Sequence, residues 1–313
     1  MKILITGAAG FIGSHTAERL QSLGHEVIGV DNFSSYYSLA LKKLNEKALA
    51  EKGITIINKD LRDTDLAEVL PKDINYIFHY AAQPGISKTS TFEDYFSNNI
   101  IATKNLIDYA LTLDHLELFV NIGTSSIYGL EATFPETVAV KPASHYGVTK
   151  LAGEQLVLQK SRENIFKSCS LRLYSVIGPR ERPEKMYTKL IACAYNDTAF
   201  PLYEGSGSHL RSFTYVGDIV DGVVSVITNE EKVNGEIINL GTEVEHTTQD
   251  GIEAVEKIIG KSIKIDHVDA RAGDQLRTKA NIDKARKLLN YNPKTTLLEG
   301  VEAQVNWYKA NFL

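Results

Sequence analysis

The sequence predicts an α/β fold, in which helices cover both faces of a doubly wound parallel sheet, with a smaller lobe in the C-terminal part. Two observations in the first half support this prediction. Short apolar runs alternate with longer amphipathic stretches, and the first apolar run leads into a glycine-rich turn. Such alternation is typical of βαβ units, whose crossover helices pack on the sheet. At 313 residues the chain can also bury a large core.

The elements of the first half follow one another in strict alternation. The predicted strands are the apolar runs Lys2–Thr6, Glu26–Val30, Ile54–Asn58, Tyr76–Tyr80, Leu116–Ile122 and Ser168–Leu173. The stretches with helical periodicity are Phe11–Leu23, Leu39–Glu51, Leu66–Leu70, Tyr95–Leu113 and Tyr146–Ser161. Each predicted helix connects two predicted strands, as a parallel sheet requires.

After Leu173 the regular alternation ends, and Pro179, Pro183 and Pro201 interrupt the pattern. A segment of this kind suits a smaller lobe that covers a substrate. The elements predicted here are a helix over Asp218–Thr228, a strand over Ile237–Leu240, and helices over Asp283–Leu289 and Leu298–Lys309. We therefore predict a nucleotide-binding domain over residues 1–173 with about 214–240, and a substrate-binding lobe over 174–213 and 241–313.

Composition and charge exclude several classes of protein. The chain is 43% hydrophobic and 23% charged, which is ordinary for a globular protein. Its net charge of −5 argues against nucleic-acid binding, and no apolar run approaches the roughly 18 residues that span a membrane. Cys169 and Cys193 lack metal-ligand spacing, so we expect buried, reduced thiols in a cytoplasmic protein without a metal site. Lys42 and Lys43 are interpreted as a solvated helix face.

The glycine-rich turn reads Gly7-Ala8-Ala9-Gly10-Phe11-Ile12-Gly13 and joins the first strand to the first helix. Glycines at these points permit a tight turn, close approach of a pyrophosphate to the backbone, and close packing of helix on strand. The helix N-terminus then offers N–H groups to the phosphates. A small-residue turn without a ligand is the alternative. We interpret the segment as a Rossmann-type dinucleotide site with contacts at Gly7, Gly10, Phe11, Ile12 and Gly13.

Asp31 ends the second predicted strand and favours the dinucleotide interpretation. Its carboxylate would accept hydrogen bonds from the adenosine ribose hydroxyls and would repel a 2′-phosphate, so NAD is favoured over NADP. Asn32 follows in the same loop. Asp60 and Leu61, after the third strand, could flank the adenine, although an ordinary loop aspartate explains Asp60 nearly as well.

Tyr146 and Lys150 place a phenol and an ammonium one turn apart on the same face of a predicted helix. A free tyrosine has a pKa of roughly 10, and a neighbouring cation favours the phenolate and can make it a general base. The pair alone arises often by chance. The hydroxyl-rich segment from Gly123 to Gly129 and the glycine-rich turn add weight to it. Together these features indicate an enzyme that oxidises an alcohol carbon with a bound nicotinamide.

These motifs together resemble the extended short-chain dehydrogenase/reductases, and more narrowly their nucleotide-sugar epimerase/dehydratase branch. The likeness covers almost the whole chain. Further matching segments are His79-Tyr80-Ala81-Ala82-Gln83, Asn98-Asn99, Arg211-Ser212-Phe213-Thr214-Tyr215-Val216-Gly217-Asp218 and Arg271-Ala272-Gly273-Asp274. The resemblance implies NAD that is tightly bound and regenerated in each turnover, a UDP-sugar substrate and a homodimer built from the helices Tyr95–Leu113 and Tyr146–Ser161.

The resemblance also implies a role for each matching residue. Thr124 would hydrogen-bond the substrate hydroxyl, Tyr146 would be the base, and Lys150 would lower the pKa of that base while holding the nicotinamide ribose. The residues expected along the cofactor are Ala81, Ala82, Gln83 and Asn99, of which Asn99 would brace the site. Those expected at the diphosphate and nucleotide are Arg211, Arg271 and Asp274. Taken singly, each arginine or acid could equally form a surface ion pair.

The residues after Thr124 bear on the reaction. Dehydratases of this branch carry an Asp-Glu pair there, and UDP-glucuronate decarboxylases tend to carry glutamate at the second position. This chain has Ser125 and Ser126, which do not titrate near neutrality. Dehydration and decarboxylation are therefore both disfavoured. A 4-epimerase needs no further acid or base, because the keto sugar rotates and the same hydride returns to its other face.

Ser175 and Arg182 bear on the sugar. UDP-glucose epimerases usually carry asparagine where this chain has Ser175, whereas Ser175 followed by Gly-Pro-Arg-Glu-Arg-Pro is more like UDP-glucuronate 4-epimerases. Arg182 could clamp a C5 carboxylate with help from Ser125 or Thr124, or it could pair with Glu181, Glu184 or another acid. UDP-glucose and UDP-N-acetylglucosamine remain alternative substrates. A non-catalytic NAD-binding scaffold and an oxidoreductase that releases its cofactor remain alternative functions.

Overall fold

The computed structural model describes residues 1–85, 89–270 and 275–313. Within these ranges the core is a seven-stranded parallel sheet with the spatial order β7-β6-β5-β4-β1-β2-β3. Its strands are β1 (Lys2–Thr6), β2 (Glu26–Asp31), β3 (Thr55–Asn58), β4 (Tyr76–His79), β5 (Leu118–Thr124), β6 (Ser168–Leu173) and β7 (Ile237–Leu240). The predicted α/β class with a large parallel sheet is confirmed.

Both faces of the sheet are buried, as expected for parallel strands covered by helices. Every residue of β4, β5 and β6 is buried. In β1, Ile3 and Ile5 pack with Phe78 in one apolar cluster, whereas Leu4 packs with Phe119 in another. Alternate side chains of a strand point to opposite faces, so the sheet has a core on each side.

The strand order reverses at β1, which is flanked by β2 and β4. In doubly wound sheets, ligands bind at this point, outside the carboxyl ends of the strands. Thr6 and His79 end β1 and β4 as register partners, with 2.8 Å between Oγ1 and Nδ1. Nε2 of His79 lies 2.9 Å from Oγ1 of Thr103. Burial lowers the pKa of His79 to about 3, so this imidazole is a neutral packing residue.

Helices connect the strands and surround the sheet. The α-helices are Phe11–Ser22, Leu39–Glu51, Leu66–Val69, Phe92–Phe96, Ala102–Ala110, His145–Arg162, Met186–Asn196, Val216–Val224, Glu230–Val233, Thr248–Ile259, Asp283–Leu289 and Leu297–Phe312. The short 3₁₀ segments are Ser125–Tyr128, Ser206–Ser208 and Ser225–Asn229, and Ser97–Ile101 is a π-helix. Among the described residues, no helix is both long and apolar enough to cross a membrane.

The predicted helix Tyr95–Leu113 differs most from the structure. It begins earlier, at Phe92, because Thr91 and Asp94 form a capping box. A π-helical turn, Ser97–Ile101, interrupts it before the last α-helical part, Ala102–Ala110. A π-turn inserts an extra residue into the helix and is frequent at functional sites.

The strands outside the large sheet are short. They are Glu131–Ala132, Val176–Ile177, Phe200–Tyr203, Leu210–Arg211, Thr214–Tyr215, His246–Thr247, Ile265–Val268 and Arg277–Thr278, paired in three small sheets. A third apolar cluster joins Tyr187, Leu190, Ile252 and Val301 from three helices. The sequence analysis did not predict the helices Met186–Asn196 and Thr248–Ile259.

The strand β7 pairs with β6 over the register Ile237↔Ser170 to Leu240↔Leu173. The chain therefore returns to the large sheet after the first part of the predicted smaller lobe. The domain division itself, at residues 173, 213 and 240, stays a prediction.

Candidate active site

The glycine-rich turn is close-packed against the neighbouring strand end. Gly7 has a φ of +68°, and a Cβ atom there would lie 2.8 Å from the backbone nitrogen of Ala81. A Cβ on Gly13 would lie 2.4 Å from the carbonyl oxygen of Gly7. Both contacts are too short for any side chain. At Gly10 a Cβ would be 3.0 Å from the same oxygen, and Gly10 itself lines the cleft, so a side chain there would narrow the space for a ligand.

The helix Phe11–Ser22 begins at this turn. Its first turn contains no acidic residue, and Gly10 at its N-cap has no side chain that could cap the free N–H groups. Phe11, Ile12 and Gly13 line the cleft together with Gly7 and Gly10. A helix N-terminus of this kind suits an anionic phosphate group, which supports the predicted dinucleotide site.

Asp31 lies at the end of β2 with its side chain 6% exposed. One carboxylate oxygen accepts a hydrogen bond from the backbone of Phe33 at 2.8 Å, and the other accepts one from Ala9 at 3.2 Å. The ammonium of Lys42 lies 3.4 Å from the first oxygen and is itself buried. The interpretation of Lys42 as a solvated residue is therefore wrong, because its helix turns this side chain towards Asp31. Lys43 is exposed and pairs with Glu46.

Asp60 and Asn32 line the same end of the cleft, with Leu61 beside them. Nδ2 of Asn32 donates to Asp60 at 2.9 Å, and Arg62 donates twice to the same carboxylate. The hydrogen bond from Arg62 is the main cause that holds the pKa of Asp60 well below its usual range. Asp60 therefore carries a stable negative charge in a loop network.

Asn99 lies behind the cleft wall rather than on it, with 2% of its surface exposed. It comes from the π-helical turn and holds Gln83 in place: its Oδ1 accepts from the Gln83 nitrogen at 2.7 Å and its Nδ2 donates to Thr149 at 3.0 Å. The wall beside β4 is formed by Ala81, Ala82 and Gln83. Asn99 thus braces this wall from behind.

Thr124, Tyr146 and Lys150 converge at the carboxyl end of β5. Thr124 is the last residue of the strand, and its side chain hydrogen-bonds the phenol of Tyr146. Tyr146 lies in the first turn of the helix His145–Arg162, whose N-cap Ser144 accepts from Gly147 at 3.1 Å. A Cβ on Gly147 would lie 2.8 Å from the carbonyl oxygen of Ser126, so the glycine lets this helix approach β5 closely.

Burial shifts the pKa values of Tyr146 and Lys150, and neighbouring polar and charged groups oppose both shifts. Burial raises the pKa of Tyr146, while the hydrogen bond from Thr124 and the positive charge of Arg182 oppose that shift. Burial lowers the pKa of Lys150 to about 8, and the charge of Glu154 opposes that shift. The phenol is therefore protonated in the free protein at neutral pH. The expected lowering of the pKa of Tyr146 by Lys150 stays a prediction.

Ser125 and Ser126 follow Thr124 in the 3₁₀ turn Ser125–Tyr128 and line the cleft. The hydroxyl of Thr124 accepts a hydrogen bond from the nitrogen of Ser126 at 3.2 Å, which fixes the turn. Ser175 lines the opposite wall, and its carbonyl accepts from Thr214 at 2.8 Å. These positions thus offer hydroxyl groups and no carboxylate next to Thr124.

Arg182 lines the cleft, as a contact with the substrate would require, and it also forms an ion pair with an acidic residue. Its Nη1 lies 2.7 Å from Oε1 of Glu184. Glu181 is 2% exposed and is engaged elsewhere, because its Oε2 accepts from Thr188 and Gln304. Glu184 is therefore the carboxylate that Arg182 contacts, and Glu181 is not.

Arg211 lines the far end of the cleft. Its guanidinium donates to the carbonyls of Leu210 and Gln275, which orients it across the strand Leu210–Arg211. Arg271 and Asp274, which were expected to help hold the nucleotide, lie outside the described residues. Their role stays a prediction.

The sequence analysis missed several residues of the cleft wall: Tyr36, Tyr37, Lys42, Tyr174, Glu184, Lys185 and Lys189. Tyr37 packs beside the glycine-rich turn, and the ammonium of Lys42 lies 5.1 Å from the centre of its ring. The adjacent tyrosines were the available signal. Two aromatic residues in the polar loop after β2, the strand that ends at Asp31, indicate that the loop packs against a surface.

The cleft joins these groups in one space of about 770 Å³, from the glycine-rich turn past Tyr146 to Arg211. A parallel sheet, a glycine-rich turn and a Thr–Tyr–Lys group in one cleft define an enzyme of the short-chain dehydrogenase/reductase type. A family model for the NAD dependent epimerase/dehydratase family matches residues 3–241, so the chain belongs to that family. The suspected resemblance is confirmed.

The relatives and solved structures agree with this assignment. The uncharacterised UDP-glucose epimerase YtcB of Bacillus subtilis is 36% identical over 311 residues, covering 97% of each chain. UDP-glucuronate 4-epimerase 4 of Arabidopsis thaliana is 31% identical over 326 residues, covering 98% of this chain and 75% of the relative. The crystal structure of UDP-glucuronic acid 4-epimerase from Bacillus cereus with UDP-glucuronic acid and NAD superposes with a TM-score of 0.93, at 35% identity and full coverage of both chains.

Proposed function

We propose that this chain is an NAD-dependent UDP-sugar 4-epimerase whose preferred substrate pair is UDP-glucuronate and UDP-galacturonate. The observation that carries the proposal is the position of Arg182, a cation on the cleft wall whose charge acts on Tyr146. A uronate carboxylate at C5 lies next to the reacting C4 carbon, so a cation near the base is well placed to hold it. The likeness to the Bacillus cereus enzyme supports the same assignment.

The cofactor site fits NAD. Gly10 leaves room at the start of the first helix, Asp31 is a buried carboxylate at the ribose position, and Lys150 lies beside Tyr146. When bound there, NAD supplies the acceptor for a hydride from C4 of the sugar and returns that hydride to the opposite face of the 4-keto sugar. The protein's residues supply the proton transfers and the orientation.

Tyr146 is the proposed base. In the substrate complex its phenolate accepts the proton of the sugar 4-hydroxyl. The same oxygen gives the proton back after the keto sugar has rotated in the site. Thr124 already hydrogen-bonds the phenol, and its proposed role is to bond the reacting hydroxyl as well. Lys150 supplies positive charge that favours the phenolate. The raised pKa of Tyr146 in the free protein makes this support necessary.

The residues next to Thr124 favour epimerisation over elimination. Neither Ser125 nor Ser126 can act as the acid or base that dehydration requires. A 4-keto uronate is a β-keto acid, which loses CO₂ when the carboxylate is free to align with the ketone. A planar arginine fork can hold a carboxylate through two hydrogen bonds, so Arg182 would restrain that loss.

We also propose a cytoplasmic homodimer. Phe92 and Phe96 are 43% and 41% exposed and stack on each other, and Val148 on the neighbouring helix is 45% exposed. Adjacent apolar side chains of this kind on two helices suit a helix-to-helix interface. Cys169 and Cys193 are free and buried, which is consistent with a reducing compartment.

The test is to incubate the purified protein with UDP-glucuronate, UDP-glucose or UDP-N-acetylglucosamine, without added NAD, and to follow the products by NMR. We expect UDP-galacturonate from UDP-glucuronate and slower inversion of the neutral sugars. Absence of a C4-inverted product from every substrate would contradict the proposal. Release of CO₂ with a UDP-pentose would indicate a decarboxylase, and stoichiometric NADH would indicate a net oxidoreductase.

A further inference from the structure

Glu184 lies on the cleft wall, and the mechanism above gives it no role. Its side chain is 43% exposed and lies 2.7 Å from Arg182, whose own side chain is 15% exposed. Nη1 of Arg182 is buried and has no hydrogen-bond partner among the described residues, although it is the atom nearest to Glu184. The contact is therefore ionic without the angles of a hydrogen bond. Such a contact is weaker than the bidentate pair that an arginine forms with a well-placed carboxylate.

The position of Arg182 leaves its outer side open to the cleft. The guanidinium carbon lies 5.9 Å from the ring centre of Tyr36, and Nη2 would be 3.4 Å from a Cβ on Gly85. Its sequence neighbour Glu181 is committed to Thr188 and Gln304. Glu184 is thus the exchangeable partner, because it is half-exposed and no other hydrogen bond is recorded for its carboxylate in the described part of the chain.

Lys185 provides a second cation next to Glu184. It lines the cleft, its side chain is reached by water, and among the described residues no ion pair is recorded for its ammonium. The surrounding protein lowers the pKa of Lys185, while Glu181 and Glu184 raise it and Arg182 and Arg211 lower it. The charge of Glu184 therefore already reaches Lys185, its neighbour in sequence.

We propose that Glu184 is an exchangeable counter-ion that selects for acidic sugars. It occupies Arg182 in the free protein, and it moves to Lys185 when a substrate carboxylate replaces it on Arg182. This inference rests on the proposed function. It adds two specificity-determining residues, Glu184 and Lys185, to the site.

Charge balance explains why the exchange would discriminate between sugars. A uronate brings one carboxylate, which displaces the carboxylate of Glu184 from Arg182. Arg182 therefore stays paired throughout, and the freed Glu184 pairs with Lys185. A neutral hexose brings no charge, so Glu184 remains on Arg182 and neither residue contributes to binding. Removing the charge of Glu184 should therefore tighten the binding of the uronate, whereas removing the charge of Lys185 should weaken it. Neither change should affect the binding of the neutral sugar much.

The experiment measures dissociation constants by calorimetry in a Tyr146→Phe background, which prevents turnover during the titration. UDP-glucuronate and UDP-glucose are titrated into the background protein and into the same protein carrying Glu184→Gln or Lys185→Met. We expect Glu184→Gln to tighten UDP-glucuronate binding by about two- to fivefold, the effect of removing one partly exposed ion pair. We expect Lys185→Met to weaken it by a similar factor. Neither should change UDP-glucose binding by more than about twofold.

Glu46→Gln is the matched control, because Glu46 forms an ion pair of 2.8 Å with Lys43 and is 33% exposed, on the surface of its helix. It should leave both dissociation constants unchanged. Weaker UDP-glucuronate binding by Glu184→Gln, or equal shifts for both sugars in either variant, would overturn the exchange. Failure of the unmodified protein to invert UDP-glucuronate would instead contradict the proposed function, so the two failures are distinguishable.

Discussion

The proposed catalytic group combines residues whose chemistry could be predicted with an environment that could not. Tyr146 and Lys150 were predicted from their spacing and Thr124 from the family resemblance, and the structure brings all three together at the end of β5. The pKa environment was not predictable, because the positive charge that acts on Tyr146 comes from Arg182 in a later segment of the chain. A charge so distant in sequence has no local pattern.

Tyr146→Phe tests the proposed base. We expect kcat to fall by about 10²- to 10⁴-fold, which is the contribution typical of a general base, while affinity for UDP-glucuronate is kept because the ring remains. The measurement is steady-state turnover by NMR together with calorimetric binding. Tyr308→Phe, in the last helix, is the control and should keep full activity. Turnover in Tyr146→Phe close to that of the unmodified protein would disprove the assignment.

Lys150 should control the alkaline limb of the pH profile. Burial lowers its pKa to about 8, so the ammonium is largely charged below pH 8 and loses its proton above it. If the charged form supports the phenolate of Tyr146, as proposed, kcat/KM should decline as the pH rises through about 8. His79, also near Lys150, has a pKa of about 3 and stays neutral over this range.

Lys150→Arg provides the comparison for that decline. A guanidinium stays charged at any pH used in the assay, so the variant should be slower at every pH but should not lose further activity above pH 8. Profiles of kcat/KM from pH 6 to 10 report the groups of the free enzyme and are the measurement required. An identical alkaline decline in Lys150→Arg would show that another group is responsible.

At the scale of elements, the strands were predicted better than the helices. Apolar runs identified all seven strands of the large sheet, because strands of a parallel sheet covered by helices are rich in apolar residues. The π-helical turn Ser97–Ile101 was missed, since one inserted residue leaves the apolar pattern of the helix almost unchanged. That turn carries Asn99, whose bracing of the site was implied by the family resemblance, whereas its hydrogen bond to Gln83 could not be predicted from the apolar pattern.

The substitution Gly147→Ala tests how closely the helix His145–Arg162 must approach β5 for catalysis. In Gly147→Ala the new Cβ would lie 2.8 Å from the carbonyl oxygen of Ser126, so the helix start must move away from β5 and carry Tyr146 with it. We expect a loss of stability of about 1–3 kcal/mol, as for other overpacked sites, and a fall in kcat of about 10²-fold because small misplacements of catalytic groups are costly.

Chemical denaturation and steady-state kinetics measure the two effects separately. Gly207→Ala is the control, because a Cβ there meets no atom of the described residues within 4 Å, and it should change neither quantity. Full activity in Gly147→Ala would show that the spacing between this helix and β5 is not critical.

At the scale of the whole molecule, the large sheet was predictable and the part of the chain outside it largely was not. That part consists of two- to four-residue strands and of helices that pack on one another, as the cluster around Tyr187 and Val255 shows. Strands of that length carry no period. The cleft contains the missed residues Glu184 and Lys185, whose functional interpretation depends on neighbours from distant segments.

The exposed apolar patch formed by Phe92, Phe96 and Val148 yields the prediction for assembly. If two copies pair through this patch, Phe96→Glu places two unpaired carboxylates in an apolar interface and should produce a monomer of 34.7 kDa, about half the mass of the unmodified assembly. Light scattering after size-exclusion chromatography measures the mass.

Val244→Glu, at a site that is 58% exposed and far from the patch in sequence, is the control and should leave the mass unchanged. Because Phe92 also contacts His145, the neighbour of Tyr146, dissociation should lower turnover as well. A monomeric unmodified protein, or an unchanged mass in Phe96→Glu, would exclude this patch as the interface.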